Sequence, residues 1–298
     1  MDRRTFLGAA ALAATAVATQ TPLSASPANK KSEPGLSVRF LGTGAADWNG
    51  PDGRGEHRRL SSVLVERSFL IDFTATARDM LPEGVRPEVI FYTHSHSDHY
   101  DPAAALEVGV RQVYVHESIF WKVQRDFRGA AEKQALPMPV ITSLCFGASV
   151  RVGDVLVTAL PASHFVSPEE ETQIYLLEKD GVRLLYATDT GGLTAKAARL
   201  GGFDAHRPGP ALTALIMEAT MGVGHEDDYR LFSHSSVATV LQTWRVLTGT
   251  GRLTPPEGQP VYLTHLARTL HGTQAELDAT LPVPLRAAYD GLEVTFRK

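Results

Sequence analysis

The chain has 298 residues, 43% of them hydrophobic, and a formal net charge of −4. This acidic balance argues against a general nucleic-acid-binding surface, and the single cysteine, Cys145, excludes an intramolecular disulfide. We expect Cys145 to be a small buried hydrophobe rather than a nucleophile.

Residues 1–28 predict an export signal peptide. Arg3 and Arg4 precede Thr5-Phe6-Leu7 and an Ala-rich apolar run. Basic, apolar and then small residues are typical of a secretory signal, and the paired arginines resemble the twin-arginine type, which a translocase of folded proteins recognises. The apolar run is shorter than the roughly 18 residues of a spanning helix. We therefore expect a periplasmic or secreted protein that meets the twin-arginine translocase during export and has no stable membrane anchor.

A polar linker is predicted over 29–35, and 36–298 is long enough for one large domain. Strands and helices alternate within it, which predicts layered sheets with helices outside. Strands are predicted over 36–41, 60–66, 68–73, 87–93, 111–115, 154–160, 173–178, 182–187, 212–217, 261–264 and 292–296. Helices are predicted over 102–108, 117–126, 194–200, 235–247 and 273–281. Asp101 and Ser235 or Ser236 are suitable N-caps for two of these helices.

Residues 94–99 read His-Ser-His-Ser-Asp-His and follow the predicted strand 87–93 directly. Zinc and similar cations prefer imidazole nitrogen and carboxylate oxygen, so three histidines and an aspartate in one turn predict a metal site.

Four other predicted strands also end in polar residues. His164 follows strand 154–160, Asp189 follows 182–187, Glu218 follows 212–217 and His265 follows 261–264. A rigid sheet that delivers one ligand at each strand end can hold a metal cluster. The predicted metal site therefore extends to distant parts of the chain.

Together these motifs resemble those of the metallo-β-lactamase-fold hydrolase superfamily, from Phe40-Leu41-Gly42-Thr43-Gly44 to Tyr289-Asp290-Gly291. The resemblance implies an α/β fold, the αββα four-layer sandwich, over 36–298, with two divalent metal ions at one edge. Zinc is expected, with manganese or iron as alternatives. By position, it implies one metal on His94, His96 and His164, a second on Asp98, His99 and His265, and Asp189 bridging both.

Three features narrow the resemblance to particular branches of the superfamily. An aspartate at 189 is similar to the phosphodiesterase, lactonase and glyoxalase branches rather than to true β-lactamases. Met217-Glu218-Ala219-Thr220 and His234-Ser235-Ser236 resemble motifs of the tRNA 3′-processing phosphodiesterases, and related cyclic-phosphate phosphodiesterases also carry the histidine. This chain shows no long basic, Gly-rich arm, so we expect a small-molecule or nucleotide-like ester as substrate.

The resulting prediction is an exported dinuclear phosphodiesterase that uses a metal-bridging hydroxide. Asp98 would orient this nucleophile, and His234 would protonate the leaving group with Glu218 keeping its imidazole charged. The alternative enzyme is a lactonase or other carboxylic-ester hydrolase, which would use the same two metals. A metal-binding scaffold is the non-enzymatic alternative.

Several assignments have structural alternatives. His234 could cap the helix predicted over 235–247 or interact with its dipole, and Glu218 could support the ligands instead of relaying a proton. We expect Asp72 to support the site without binding metal. The Gly-rich loop 42–59 could cover the site, and its arginines Arg54, Arg58 and Arg59 are expected to be solvated, with contact to an anionic substrate as the alternative.

Overall fold

The computed structural model describes residues 34–206 and 208–298. The predicted signal peptide, and all but two residues of the predicted linker, lie outside the described residues. Among the helices that are described, none is long and apolar enough to cross a membrane.

The described chain forms two mixed sheets of seven strands each, flanked by helices. The strands are β1 Leu36–Gly42, β2 Ser62–Val65, β3 Phe69–Ile71, β4 Val89–Phe91, β5 Gln112–His116, β6 Val140–Leu144, β7 Ser149–Val152, β8 Val155–Pro161, β9 Gln173–Lys179, β10 Val182–Ala187, β11 Ala214–Glu218, β12 Val261–Thr264, β13 Leu285–Ala287 and β14 Glu293–Phe296. The helices are α1 Pro102–Glu107, α2 Phe120–Gln134, α3 Ala195–Leu200, α4 Val237–Gly249 and α5 Gln274–Thr280, with 3-10 turns at Ala75–Met80, Glu117–Ile119 and Tyr229–Phe232.

Both sheets combine an antiparallel half with a parallel half. The first has the order β14-β1-β2-β3-β4-β5-β6 and is parallel from β3 to β6. The second has the order β13-β12-β11-β10-β9-β8-β7 and is parallel from β10 to β13. Since β8 and β10 are both antiparallel to β9, they run in the same direction. The carboxyl ends of β8, β10, β11 and β12 therefore lie at one edge.

Alternating side chains along the strands build three apolar layers. In β1, Phe40 packs between the sheets, whereas Leu41 packs beneath the helices of the first sheet. In β10, Tyr186 packs between the sheets and Leu185 beneath the helices of the second. Sheet-on-sheet burial with a helical layer on each outer face is the αββα sandwich, so the predicted fold class is confirmed.

Most predicted elements are present with ends shifted by a few residues, but three strands were missed. β6, β7 and β13 are short and lie at or next to sheet edges, and β6 begins at Val140, which is 65% exposed. A half-exposed edge strand lacks the apolar run that marks an interior strand. The helix predicted over 117–126 is longer in the structure. A 3-10 turn, Glu117–Ile119, leads into α2, and α2 continues to Gln134.

The prediction for Cys145 was wrong, because this thiol is exposed. Leu144, the last residue of β6, takes the buried position, and Cys145 begins the turn that follows.

The predicted caps are correct. Asp101 accepts a hydrogen bond from the Ala104 amide at α1, and of the two serines it is Ser236 that caps α4.

Candidate metal centre

Three histidines and an aspartate converge in the first cluster. His96 Nδ1 lies 3.0 Å from His94 Nε2 and 3.0 Å from His164 Nε2. Asp189 Oδ2 lies 3.5 Å from the same Nε2 atoms of His94 and His164. The turn after β4 supplies two of these side chains, and the ends of β8 and β10 supply the others.

The second cluster lies on the other side of Asp189. Asp98 Oδ2 is 3.2 Å from His265 Nε2 and 3.3 Å from His99 Nε2. Asp189 Oδ1 is 3.1 Å from His265 Nε2 and 3.3 Å from His99 Nε2. The two carboxylate oxygens of Asp189 therefore face different clusters.

The backbone and the charge of Asp189 both suit this bridging position. Its φ of 46° is in the left-handed region, which aspartate tolerates better than most residues. Burial by itself raises the pKa of Asp189, but the charges of His265 and His99 outweigh burial and hold that pKa well below its usual range. Asp189 is therefore a carboxylate that presents an oxygen to each cluster.

Two of the three histidines in the first cluster, His94 and His164, are oriented by acceptors behind them. Thr93 Oγ1 donates to Asp72 Oδ2, so it accepts from His94 Nδ1 at 2.9 Å. His164 Nδ1 lies 3.0 Å from the Ser233 carbonyl oxygen, which can only accept. An acceptor at Nδ1 places the ring proton there and leaves the Nε2 lone pair facing the cluster.

The same arrangement recurs in the second cluster. His99 Nδ1 donates to Asp72 Oδ2 at 2.8 Å. Thr220 Oγ1 donates to Glu218 Oε2 at 2.5 Å and accepts from His265 Nδ1 at 2.8 Å. Buried carboxylates therefore set the orientation of these histidines, directly or through a threonine hydroxyl.

Burial lowers the pKa of His94, His96 and His164, which favours the neutral form of imidazole that can bind a metal. Burial by itself also lowers the pKa of His99, but the surrounding carboxylates, Asp189 above all, raise it well above its usual value. A cation that binds His99 must displace its proton, so we expect binding at the second cluster to release a proton.

The residues present fit metal ions in both clusters. Within each cluster the ligand atoms lie within 4.8 Å of one another. His99 Nε2 is buried without a hydrogen-bond partner, and imidazole nitrogens 3.0 Å apart repel unless a proton or a cation lies between them. Imidazole and carboxylate together are a ligand set for zinc and similar cations.

His234 lies beside both clusters and is held by Glu218. Its ring stacks on His265 with centroids 5.5 Å apart and meets His164 edge to face at 4.8 Å. His234 Nδ1 is 3.1 Å from Glu218 Oε1. Burial by itself lowers the pKa of His234, but the charge and hydrogen bond of Glu218 raise it to about 9.

Glu218 is fully buried, and both of its oxygens are occupied. Oε1 accepts from the Thr190 amide at 2.6 Å and from His234, while Oε2 accepts from the amide and hydroxyl of Thr220. Although Glu218 lies near His234 and His265 in a third group of possible ligands, its lone pairs are already used. It therefore orients His234 and, through Thr220, His265.

A cavity of about 370 Å³ opens onto both clusters, and this volume is in the range of small-molecule sites. It is lined by Ala45, Ala46, Asp47, His96, Ser97, Asp98, Asp189, Thr220, Arg230, His234, His265 and Ala267.

The profile of the family described as the Beta-lactamase superfamily domain matches residues 70–265, about two thirds of the chain. The chain belongs to the beta-lactamase superfamily. No curated protein matches it. The human short form of tRNase Z has 18% identity and a TM-score of 0.61, covering 88% of this chain and 100% of that one. Zn²⁺-bound PqqB from Methylobacterium extorquens has 17% identity and a TM-score of 0.61, with coverages of 87% and 99%. Unliganded yeast PDE1 has 11% identity and a TM-score of 0.60, with coverages of 89% and 100%.

In this beta-lactamase superfamily domain, the structure brings together all seven predicted ligands, with His234 and Glu218 beside them. Asp72 is placed as expected, behind the ligands. His234 is not the cap of α4, since the Ser236 side chain accepts from the Thr239 amide there.

The three arginines of loop 42–59 lie elsewhere. Arg58 is buried, so the expectation of a solvated side chain was wrong for it, and it donates to Thr43 Oγ1 and the Ala288 carbonyl. Arg59 pairs with acidic residues, and so does Arg54. None of the three lines the cavity that opens onto the clusters.

Sequence reasoning missed Arg230, which lines the cavity, and the acceptors Thr93 and Thr220. Each threonine lies close in sequence to a residue that was recognised, but only the folded chain shows that its hydroxyl joins a histidine to a carboxylate.

Replacing Asp72 by asparagine is expected to lower metal affinity by about 10–100-fold. The amide keeps one oxygen, but it presents a donor where the carboxylate accepts from both His99 and Thr93. Competition against a chromophoric chelator measures the affinity. Asp180→Asn is a matched control, because Asp180 has a similar φ of 50° and lies on a surface turn. Unchanged affinity in Asp72→Asn would show that Asp72 does not support the ligands.

Proposed function

We propose that this domain is a phosphodiesterase that holds two divalent cations, one in each cluster, and acts on a small or nucleotide-like ester. The observation that carries the proposal is His234, which borders the cavity and both clusters and is bound to the buried carboxylate of Glu218. Zinc is the metal we propose first, and the zinc bound to the similarly folded PqqB supports it.

The need for a proton donor favours phosphodiesters. An alkoxide that leaves phosphorus must be protonated, whereas opening a lactone makes a weaker demand on such a donor. Glu218 raises the pKa of His234 to about 9, so the imidazole carries a proton at neutral pH. A buried carboxylate that holds this imidazole charged beside the cavity has a clear use in phosphodiester cleavage.

Divalent cations in the two clusters would supply an activated water and offset the charge that develops on the phosphoryl oxygens. The chain's own residues then divide the remaining work. We assign the orientation of the attacking water to Asp98, whose carboxylate lines the cavity. His234 donates its proton to the leaving oxygen, and Glu218 keeps the imidazole oriented and charged.

Metal analysis and a substrate panel on the same preparation test the proposal. We expect two metal ions per chain and turnover of bis(4-nitrophenyl) phosphate and nucleoside cyclic phosphates, lost on chelation and restored with metal. Homoserine lactones and β-lactams in the panel represent the carboxylic-ester alternative. Faster turnover of a lactone than of every diester would favour that alternative, and no hydrolysis by the fully metallated protein would favour a scaffold.

Replacing Glu218 by glutamine is expected to move the basic limb of the pH profile to lower pH. Glu218 raises the pKa of His234, and the donor form is lost as pH rises through that pKa, so removing the negative charge brings the loss earlier. Profiles of kcat/KM for an ester with a poor leaving group measure the change. Glu132→Gln, an exposed change on α2, should leave the limb in place. An unmoved limb in Glu218→Gln would contradict the assigned role.

Export by the twin-arginine route, with a periplasmic or secreted location, stays a prediction from residues 1–28. It would place the substrate outside the cytoplasm.

A further inference from the structure

The cavity contains one cation that the proposed chemistry does not use. Among the described residues that line it, Arg230 is the only arginine or lysine. It lies in the 3-10 turn Tyr229–Phe232, and its carbonyl accepts from the amides of Ser233 and His234 at 2.8 Å. Arg230 is therefore fixed by backbone hydrogen bonds to the segment that carries the proposed proton donor.

One edge of the Arg230 guanidinium is held by Asp228. Nε donates to Oδ1 at 2.8 Å and Nη2 donates to Oδ2 at 2.7 Å. Asp228 Oδ1 also accepts from the Arg230 amide at 2.9 Å and caps the turn. A two-point contact to a carboxylate that is itself fixed to the backbone sets the direction of the side chain.

The other edge of the guanidinium is open. A guanidinium has five N–H donors, and Asp228 takes two of them. Within 34–206 and 208–298, Nη1 of Arg230 has no hydrogen-bond partner, and the side chain is 31% exposed. The fork formed by Nη1 and Nη2 matches two oxygens of a phosphate or a carboxylate. By contrast, Arg54, Arg58 and Arg59 each donate from both Nη1 and Nη2 to acceptors of the protein.

We propose that Arg230 binds a second anionic group of the substrate, a phosphate monoester or a carboxylate carried beside the scissile phosphodiester. This inference rests on the proposed function, because it names the substrate class of the same cavity. Asp228 is the positioning residue. Its carboxylate holds Nε and Nη2 of Arg230, which leaves the Nη1 edge directed away from the Asp228 carboxylate. The enzyme then prefers dianionic or trianionic esters over monoanionic ones.

Three esters with the same leaving group test the proposal. They are thymidine 3′-(4-nitrophenyl phosphate) with a 5′-hydroxyl, a 5′-phosphate or a 5′-carboxylate. We expect the wild-type metalloenzyme to prefer at least one of the two esters that carry a 5′ anion by about tenfold or more in kcat/KM over the 5′-hydroxyl ester, mainly through KM. The ester that gains more identifies the anion.

Variants assign the preference to Arg230. Arg230→Met should bring the ratio between the esters with a 5′ anion and the 5′-hydroxyl ester to about one. Arg230→Lys should keep part of it, because an ammonium retains the charge but not the fork, and Asp228→Asn should also keep part. Arg128→Met makes the same chemical change on an exposed part of α2 and should keep the full ratio. A wild-type ratio near one, or a full ratio in Arg230→Met, would overturn the inference.

A binding measurement separates this inference from the proposed function. If no ester is hydrolysed, phosphodiesterase activity fails, but calorimetry on the metal-loaded protein still compares thymidine 3′,5′-bisphosphate with thymidine 3′-phosphate. Tighter binding of the bisphosphate that disappears in Arg230→Met supports the anion site. Equal binding of the two nucleotides overturns it.

Discussion

Replacing His234 by alanine is expected to slow cleavage of phosphodiesters with poor leaving groups by about 10²–10⁴-fold, the usual contribution of general acid catalysis. A 4-nitrophenolate leaves without a proton, so esters of 4-nitrophenol should lose far less. The measurement is kcat/KM for a 4-nitrophenyl ester and an ethyl ester of the same nucleoside phosphate. The selective loss, rather than the size of either loss, identifies the donor.

The neighbours of His234 make this comparison necessary. Its ring stacks on His265 and contacts His164, so alanine also leaves a space beside both clusters. If the substitution acted only by disturbing the clusters in this way, the two esters would be slowed equally. That result would contradict the proton-donor role. Metal content measured on the same protein shows whether the ligands still bind. His225→Ala is a matched control, because His225 lies in the preceding loop and does not line the cavity.

The ligand residues could be predicted from the sequence because local patterns mark the strands that they follow, and the resemblance to the superfamily implied how they divide between two metals. His265 directly follows β12, whereas Asp189 and His164 come shortly after the ends of β10 and β8, and each of these strands has a clear apolar run. In the structure these strands run in the same direction in one sheet, so the residues at their carboxyl ends meet at one edge. The turn 94–99 is similarly placed by β4 of the other sheet.

The supporting contacts could not be predicted, because they depend on residues that meet only after folding. Arg58 was expected to be solvated in a Gly-rich loop, yet its guanidinium is buried against Ala288, 230 residues away in sequence. Arg230 lies next to a strongly polar loop, where an arginine is ordinarily solvated. Only the folded chain shows that Arg230 lines the cavity.

Three residues at the site have a backbone conformation that is unfavourable in free energy. Asp72, Asp189 and His265 have φ values of 55°, 46° and 52°, in a region that costs non-glycine residues on the order of 1–3 kcal/mol. All three lie at strand ends and contact ligands of the second cluster or belong to it. Their hydrogen bonds and ion pairs hold this strained edge, so we expect metal binding to stabilise the domain in addition to supporting the reaction.

Replacing Asp189 by asparagine is expected to weaken binding of at least one metal ion by more than the roughly 10–100-fold that loss of an outer supporting residue costs. Asparagine has the same shape and accepts a positive φ, so the backbone at this position can persist. Only one of its two terminal atoms is an oxygen, however, and the amide nitrogen is a donor. The side chain can therefore serve one cluster, and it presents N–H groups to the other.

Metal-to-protein ratios after dialysis against graded free zinc measure this effect, with kcat/KM taken at saturating metal. Asp180→Asn, which has nearly the same φ, should keep the wild-type ratios. If Asp189→Asn also bound the same metal content at the same free zinc, the carboxylate would not be shared between the clusters. Loss of one ion with retention of the other would instead show that the two oxygens facing His94 and His265 act separately, as their contacts at 3.5 Å and 3.1 Å imply.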